Sequence, residues 1–175
     1  LRLTRSCAMT ALVALSFATP AQAGIFVENA AVPAAMTDTT GTANDPSVYR
    51  FDNYVKDFGS TSIALGTATG ASWIRLEIRN GATVTTTGTS NRIGSDSDSY
   101  TNQFCSVSVA GSGSALTMGT SRLGGRSPNN SLLISDGATV NLTGDLTAGY
   151  NDKPNATNNT IVVDGGTLNL VGSTT

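Results

Sequence analysis

The 175-residue chain contains no histidine, two cysteines, one tryptophan and only 13% charged residues. Without an imidazole there is no Ser-His-Asp or Cys-His arrangement and no histidine-ligated metal. Cys7 lies in an N-terminal segment expected to be removed, which leaves Cys105 without an internal disulfide partner. Stability must then come from packing and backbone pairing, with Cys105 itself expected as a small buried hydrophobe. Basic residues are as scarce: ten Lys and Arg stand against 12 Asp and Glu, a formal charge of −2. Losing residues 1–23 removes Arg2 and Arg5 but no acid, so −2 becomes −4. Such a chain has no basic patch of the kind nucleic acid requires, and no nucleic-acid partner is expected. A Walker-type phosphate loop is also missing, since Gly124-Gly125-Arg126-Ser127-Pro128 lacks both the spacing and the lysine.

Long apolar runs are lacking too. The uncharged run from Cys7 to Ala18 falls short of the roughly 20 residues a membrane-spanning helix needs. Arg2 and Arg5 precede it, and Pro20 and Ala21-Gln22-Ala23 follow. That is the pattern of a secretory signal peptide cut after Ala23, so residues 1–23 are expected to be lost and the mature chain to be exported with no membrane span.

What the chain does have is short apolar alternation punctuated by Gly, Asn, Asp and Ser. Residues 24–72 show no repeat and hold the cluster Tyr49, Phe51, Tyr54 and Phe58; an irregular N-terminal cap is expected there. From Trp73 to the end, residues 73–175, one unit returns. Leu76-Glu77-Ile78-Arg79-Asn80-Gly81-Ala82-Thr83-Val84 aligns with Leu132-Leu133-Ile134-Ser135-Asp136-Gly137-Ala138-Thr139-Val140 and with Thr160-Ile161-Val162-Val163-Asp164-Gly165-Gly166-Thr167-Leu168. The turns lie 56 and 28 residues apart, and a weaker copy between the first two, Val107 to Leu116, has a turn one residue longer. A second mark follows each turn, Asn91-Arg92-Ile93-Gly94, Ser121-Arg122-Leu123-Gly124 and Leu146-Thr147-Ala148-Gly149, and then a polar loop of variable length.

Strands this short cannot cover an apolar face alone, whereas stacking equivalent strands of successive units buries it continuously. An Asx-Gly pair can instead close a two-residue hairpin and give an antiparallel sandwich. Recurrence of the whole unit favours an all-β parallel β-helix, a solenoid. In that fold Ile78, Ile134 and Val162 stack in the core, as do Val84, Leu116, Val140 and Leu168, while Asn141 and Asn169 form an outward ladder. Asn80, Gly81, Asp136, Gly137, Asp164 and Gly165 are then structural turn residues; the exchange of Asp for Asn suits a turn hydrogen bond more than a charge.

The residues LLISDGATVNLTGDLTAGYND and TIVVDGGTLNL resemble the autotransporter-associated β-strand repeats of large exported bacterial proteins. The resemblance covers roughly residues 73–175. It implies a right-handed parallel β-helix passenger displayed on, or released from, a Gram-negative-type cell surface and its outer membrane, with structural or adhesin-like duties. It brings no catalytic residues. Extracellular carbohydrate or cell-surface components are the partners it implies, together with further rungs stacking on the last one.

Parallel β-helices also carry polysaccharide lyases and glycosidases, so carboxylate pairs are the features to weigh against a purely structural chain. Asp96 and Asp98, in Gly94-Ser95-Asp96-Ser97-Asp98-Ser99, offer oxygen ligands for Ca²⁺ or one acid of a glycosidase pair. Neither the EF-hand order nor a Ca²⁺-binding nonapeptide accompanies them, which leaves a solvated turn as the competing reading. No other cofactor is expected and no catalytic residue is assigned. The Tyr49, Phe51, Tyr54 and Phe58 group is expected to pack, with a sugar-stacking platform as its alternative.

Overall fold

The computed structural model describes residues 24–95, 103–149 and 155–174. Each short segment is extended because Val, Ile, Leu or Met at alternate positions must share one face. The face is covered only when the equivalent strand of the next turn lies directly over it. Three sheets arise this way. A six-stranded sheet contains β1 (Phe26–Glu28), β3 (Ser47–Asp52), β6 (Ile74–Arg79), β9 (Ser106–Ala110), β12 (Ser131–Ser135) and β15 (Thr160–Asp164), in that spatial order. A second holds β4 (Val55–Asp57), β7 (Thr83–Thr85), β10 (Ala115–Met118), β13 (Thr139–Leu142) and β16 (Thr167–Leu170). The third holds β2 (Ala35–Met36), β5 (Ala64–Leu65), β8 (Asn91–Ile93), β11 (Ser121–Leu123) and β14 (Leu146–Ala148).

The chain visits the three sheets in rotation, so every three strands make one turn of a parallel β-solenoid, with four complete turns between an incomplete turn at each end. The hairpin alternative fails on pairing. β6 bonds in parallel to β3 and β9, and β7 to β4 and β10, never to each other across Asn80-Gly81. A 3-10 helix, Asn29–Ala31, is the sole helix among the described residues, and none is long and apolar enough to cross a membrane.

The core is a set of columns running along the solenoid. Phe51, Ile78, Val109 and Ile134 form one, all at 0% exposure. Val84, Leu116, Val140 and Leu168 form another in the order expected, and Met36, Leu65, Ile93 and Leu123 line the third sheet. One expected position is corrected. Val163, not Val162, continues the column from Ile134, while Val162 pairs with outward Leu133. Only Gly165 and Gly166 separate β15 from β16, where Asp136, Gly137 and Ala138 separate β12 from β13. Aligning the Asp-Gly pairs therefore slips the last strand by one residue, which exchanges its two faces.

The coil also begins earlier than residue 73. β1, the 3-10 helix and β2 form an incomplete first turn, and β3, β4 and β5 form a complete one after it. That turn escapes the sequence pattern because its bend, Asn53-Tyr54, carries no glycine, although Leu65-Gly66 stands 28 residues before Ile93-Gly94. In the first turn the 3-10 helix occupies the chain where later turns place a strand of the second sheet. Edge strand β4 carries Lys56 in register with core residue Val84, and its ammonium lies 5.1 Å from the Phe58 ring centre. An inward-pointing charge on an edge strand discourages further pairing.

Candidate functional site

The turn residues stack along one edge of the solenoid. Asn80 and Gly81 are left-handed, at φ 55° and 80°, and Asp136 and Gly137 repeat this at 54° and 80°. Asn and Asp tolerate this conformation better than other non-glycine residues. The Asn80 amide donates to Asp52 Oδ1 at 2.8 Å, and the Gly81 N–H donates to Ser114 Oγ at 3.0 Å. With the Asn80 amide and the Arg79 guanidinium both donating to it, Asp52 is held below the usual carboxylate range. Asp164 departs from the expected equivalence: it ends β15, and only Gly165 is left-handed, at 69°. The shorter turn described above is the reason. The Asp136 and Gly137 N–H groups donate to the Asp164 and Gly165 carbonyls at 3.2 and 2.7 Å, so these residues join one turn to the next.

Asp96 and Asp98 lie outside the described residues. Among the described residues no three of Cys, Asp or Glu gather where they would hold a metal ion. Cys105 is fully buried, and burial pushes its thiol up to about 12. Of the aromatic cluster, Tyr49 and Phe51 are buried and Tyr54 and Phe58 half-buried; Phe51 is stacked on Tyr54 at 6.2 Å and met edge-on by Phe58 at 6.1 Å, so the group packs together. The outward asparagine ladder forms, with the Asn169 amide donating to Asn141 Oδ1 at 2.8 Å.

A different place is the more distinctive one, and it was not singled out from the sequence. It is the corner where the chain enters the six-stranded sheet. Three residues before Leu76, Val107, Leu132 and Ile161 stand Trp73, Phe104, Asn129 and Asn158, and all four are left-handed, at φ 58°, 60°, 59° and 55°. Asparagine suits this backbone; a tryptophan or phenylalanine there is an outlier costing on the order of 1–3 kcal/mol. The next residue at each corner turns inward, and Ile74, Cys105 and Asn130 are all at 0% exposure. Asn130 fastens this column. Its Oδ1 accepts from the Cys105 N–H at 3.1 Å, and its amide donates to the Ser127 carbonyl and to Asn159 Oδ1 at 3.1 and 3.0 Å.

The two aromatic residues stack face to face, ring centres 3.9 Å apart and planes 7° from parallel. Beside them lies an open groove of about 190 Å³, lined by Pro46, Trp73 and Phe104 at the corner and by the outward row Arg75, Ser106 and Ser131. Asn129 lines it further along and also donates to Gln103 Oε1 at 3.2 Å. The Arg75 side chain is 48% exposed and only loosely held, 3.7 Å from a Glu77 carboxylate that Arg50 grips at 2.8 and 2.9 Å. The signal was available in sequence, but only by aligning the corners on the strand that follows. The loops ahead of them differ in length and mask the spacing.

Compared with family models, curated proteins and solved structures, the chain matches none.

Proposed function

We propose that this protein is an exported, non-catalytic β-solenoid that serves as a structural or adhesive element at a bacterial cell surface. The observation that carries the reading is the outer face, on which polar side chains bond from turn to turn, as in Arg50 with Glu77, Arg79 with Asp52 and Asn141 with Asn169. The N-terminal end has short strands, a 3-10 helix and inward Lys56, with Phe26 and Val55 exposed at 56 and 76%. The last turn presents Val162, Val163 and Leu170 at 46, 47 and 44% exposure on edge strands β15 and β16, each paired on one side, and Val171 at 75% just beyond them. An exposed parallel edge is competent to pair with a further strand, the contact by which stacked rungs build a stalk.

Two measurements on the protein expressed in a Gram-negative host test this. Externally added protease should degrade it on intact cells or in the medium, and purified protein should leave polygalacturonate and alginate uncut with or without Ca²⁺. Retention inside the cell overturns the surface assignment. Turnover that disappears when Asp96 and Asp98 are changed to Ala establishes the polysaccharide-acting enzyme in its place.

A further inference from the structure

Strain and stacking coincide at the corner of the six-stranded sheet. Asparagine fills this left-handed position at 129 and 158, yet Trp73 and Phe104 hold it in the two preceding turns. Their rings stay at the surface, half-buried, instead of entering the core. Aromatic residues kept at a backbone cost, walling a groove with mixed polar lining, point to a ligand with both an apolar face and a polar rim.

A pyranose ring has that character, with C–H groups on its faces and hydroxyls around its edge. The aromatic pair and Pro46 supply apolar surface, Ser106 and Ser131 supply hydroxyls, and Asn129, next along the same corner, supplies an amide. From Pro46 to Asn129 the corner climbs three strand spacings, about 14 Å at about 4.8 Å each, which suits a short oligosaccharide. Arg75 adds a guanidinium whose nearest carboxylate is beyond hydrogen-bonding reach. A peptide is disfavoured because the groove lies over β6, β9 and β12, which already pair on both sides and offer no free backbone edge. We propose that the Trp73–Phe104 groove binds a short anionic glycan, a sugar ring packing on the aromatic pair and its carboxylate taken by Arg75. The site rests on the extracellular reading above and names the class of partner it meets.

Trp73 is the one tryptophan of the chain, so its fluorescence reports on the groove directly. The purified protein is titrated with trigalacturonate and with maltotriose, a neutral sugar of equal ring number. Saturable quenching or enhancement is expected with trigalacturonate, at least about tenfold tighter than with maltotriose, the worth of one charge-assisted hydrogen bond. Arg75→Gln should erase that preference. Phe104→Asn, which installs the residue of the next corner and relieves the backbone, should weaken both sugars about fivefold without lowering Tm. No saturable response to either sugar, or affinities unchanged in both variants, overturns the site; equal affinity for the two sugars in the unaltered protein overturns the role of Arg75. New reducing ends appearing in the bound trigalacturonate would overturn the non-catalytic reading alone, since binding would still be seen.

Discussion

The last two turns carry nearly the same words, DGATVNL and DGGTLNL, and meet different fates. Val140 and Leu142 are at 0% exposure, while Leu170, the counterpart of Leu142, is at 44% and Leu168 is only partly covered. Nothing in the local sequence accounts for this. Burial in a solenoid belongs to the neighbouring turn, so a strand flanked on both sides is core and the same strand at the end is surface. The N-terminal turns differ again. They concentrate the aromatic residues and the ion pairs of Arg50 with Glu77 and Arg79 with Asp52, at 2.8 and 2.7 Å. The aromatic residues and ion pairs thus gather toward one end, while apolar side chains are exposed at both, Phe26 and Val55 at one and Leu170 and Val171 at the other.

Truncating one apolar residue at each end should expose this difference most strongly. Phe51→Ala removes a fully buried ring from the aromatic-rich end and is expected to cost about 4 kcal/mol in urea unfolding. Leu170→Ala, at the open end, should cost less than about 1 kcal/mol. Equal losses would mean that the end turn is covered in solution.

Polar anchors should show the same difference at a smaller scale. Asn130→Ala leaves the buried Cys105 N–H without its acceptor and should cost about 2 kcal/mol. Its neighbour in the last turn, Asn159, is only partly buried, and Asn159→Ala should cost less. Cys105 itself provides a second readout. With its thiol pushed up to about 12, it stays protonated at pH 8 and should resist alkylation until the turn opens, and Asn130→Ala should speed labelling.

Acid should act first on the N-terminal end. Burial pulls the Asp38 carboxyl upward, but hydrogen bonds from the Ser47 and Thr40 hydroxyls and from the Thr39 and Thr40 backbone outweigh it, leaving Asp38 below its usual range. Asp52 is lowered as well. For a depressed carboxyl the unfolded chain binds the proton first as pH falls. Both therefore stabilise the fold fully above about pH 5, and that contribution is lost as pH drops through about 4 and below. Tm measured across this window should fall, and Asp38→Asn should flatten the slope.

Recurrence of the whole unit, with Val84, Leu116 and Val140 at one position of it, favoured a parallel coil from sequence, because stacked β-strands demand the same apolar position in every turn. Register was less legible. The shortened bend at Gly165-Gly166 moved Val163 into the place expected of Val162, and a two-residue strand such as Ala64–Leu65 leaves little periodicity to detect. The Trp73–Phe104 corner was hidden for a different reason: loops of unequal length precede each corner, and left-handed geometry writes no residue code when Trp and Phe replace Asn.

The edges themselves allow the contrast to be reversed at the smallest cost in stability. Lys56 and Leu168 occupy the two ends of one column, the first in register with Val84 and the second with Val140. Leu168→Lys places at the open end the charge that β4 carries at the other, and because Leu168 is only partly buried the fold should lose no more than about 1 kcal/mol. Self-association of the purified protein, followed by light scattering over a concentration series, should then decline. Lys56→Leu should do the opposite by making β4 an apolar edge, with Val55 already 76% exposed beside it. If neither substitution moves the association, edge chemistry does not govern how the ends behave, and the open end would have to be guarded by the shape of its last bend, where β15 passes into β16 through two glycines.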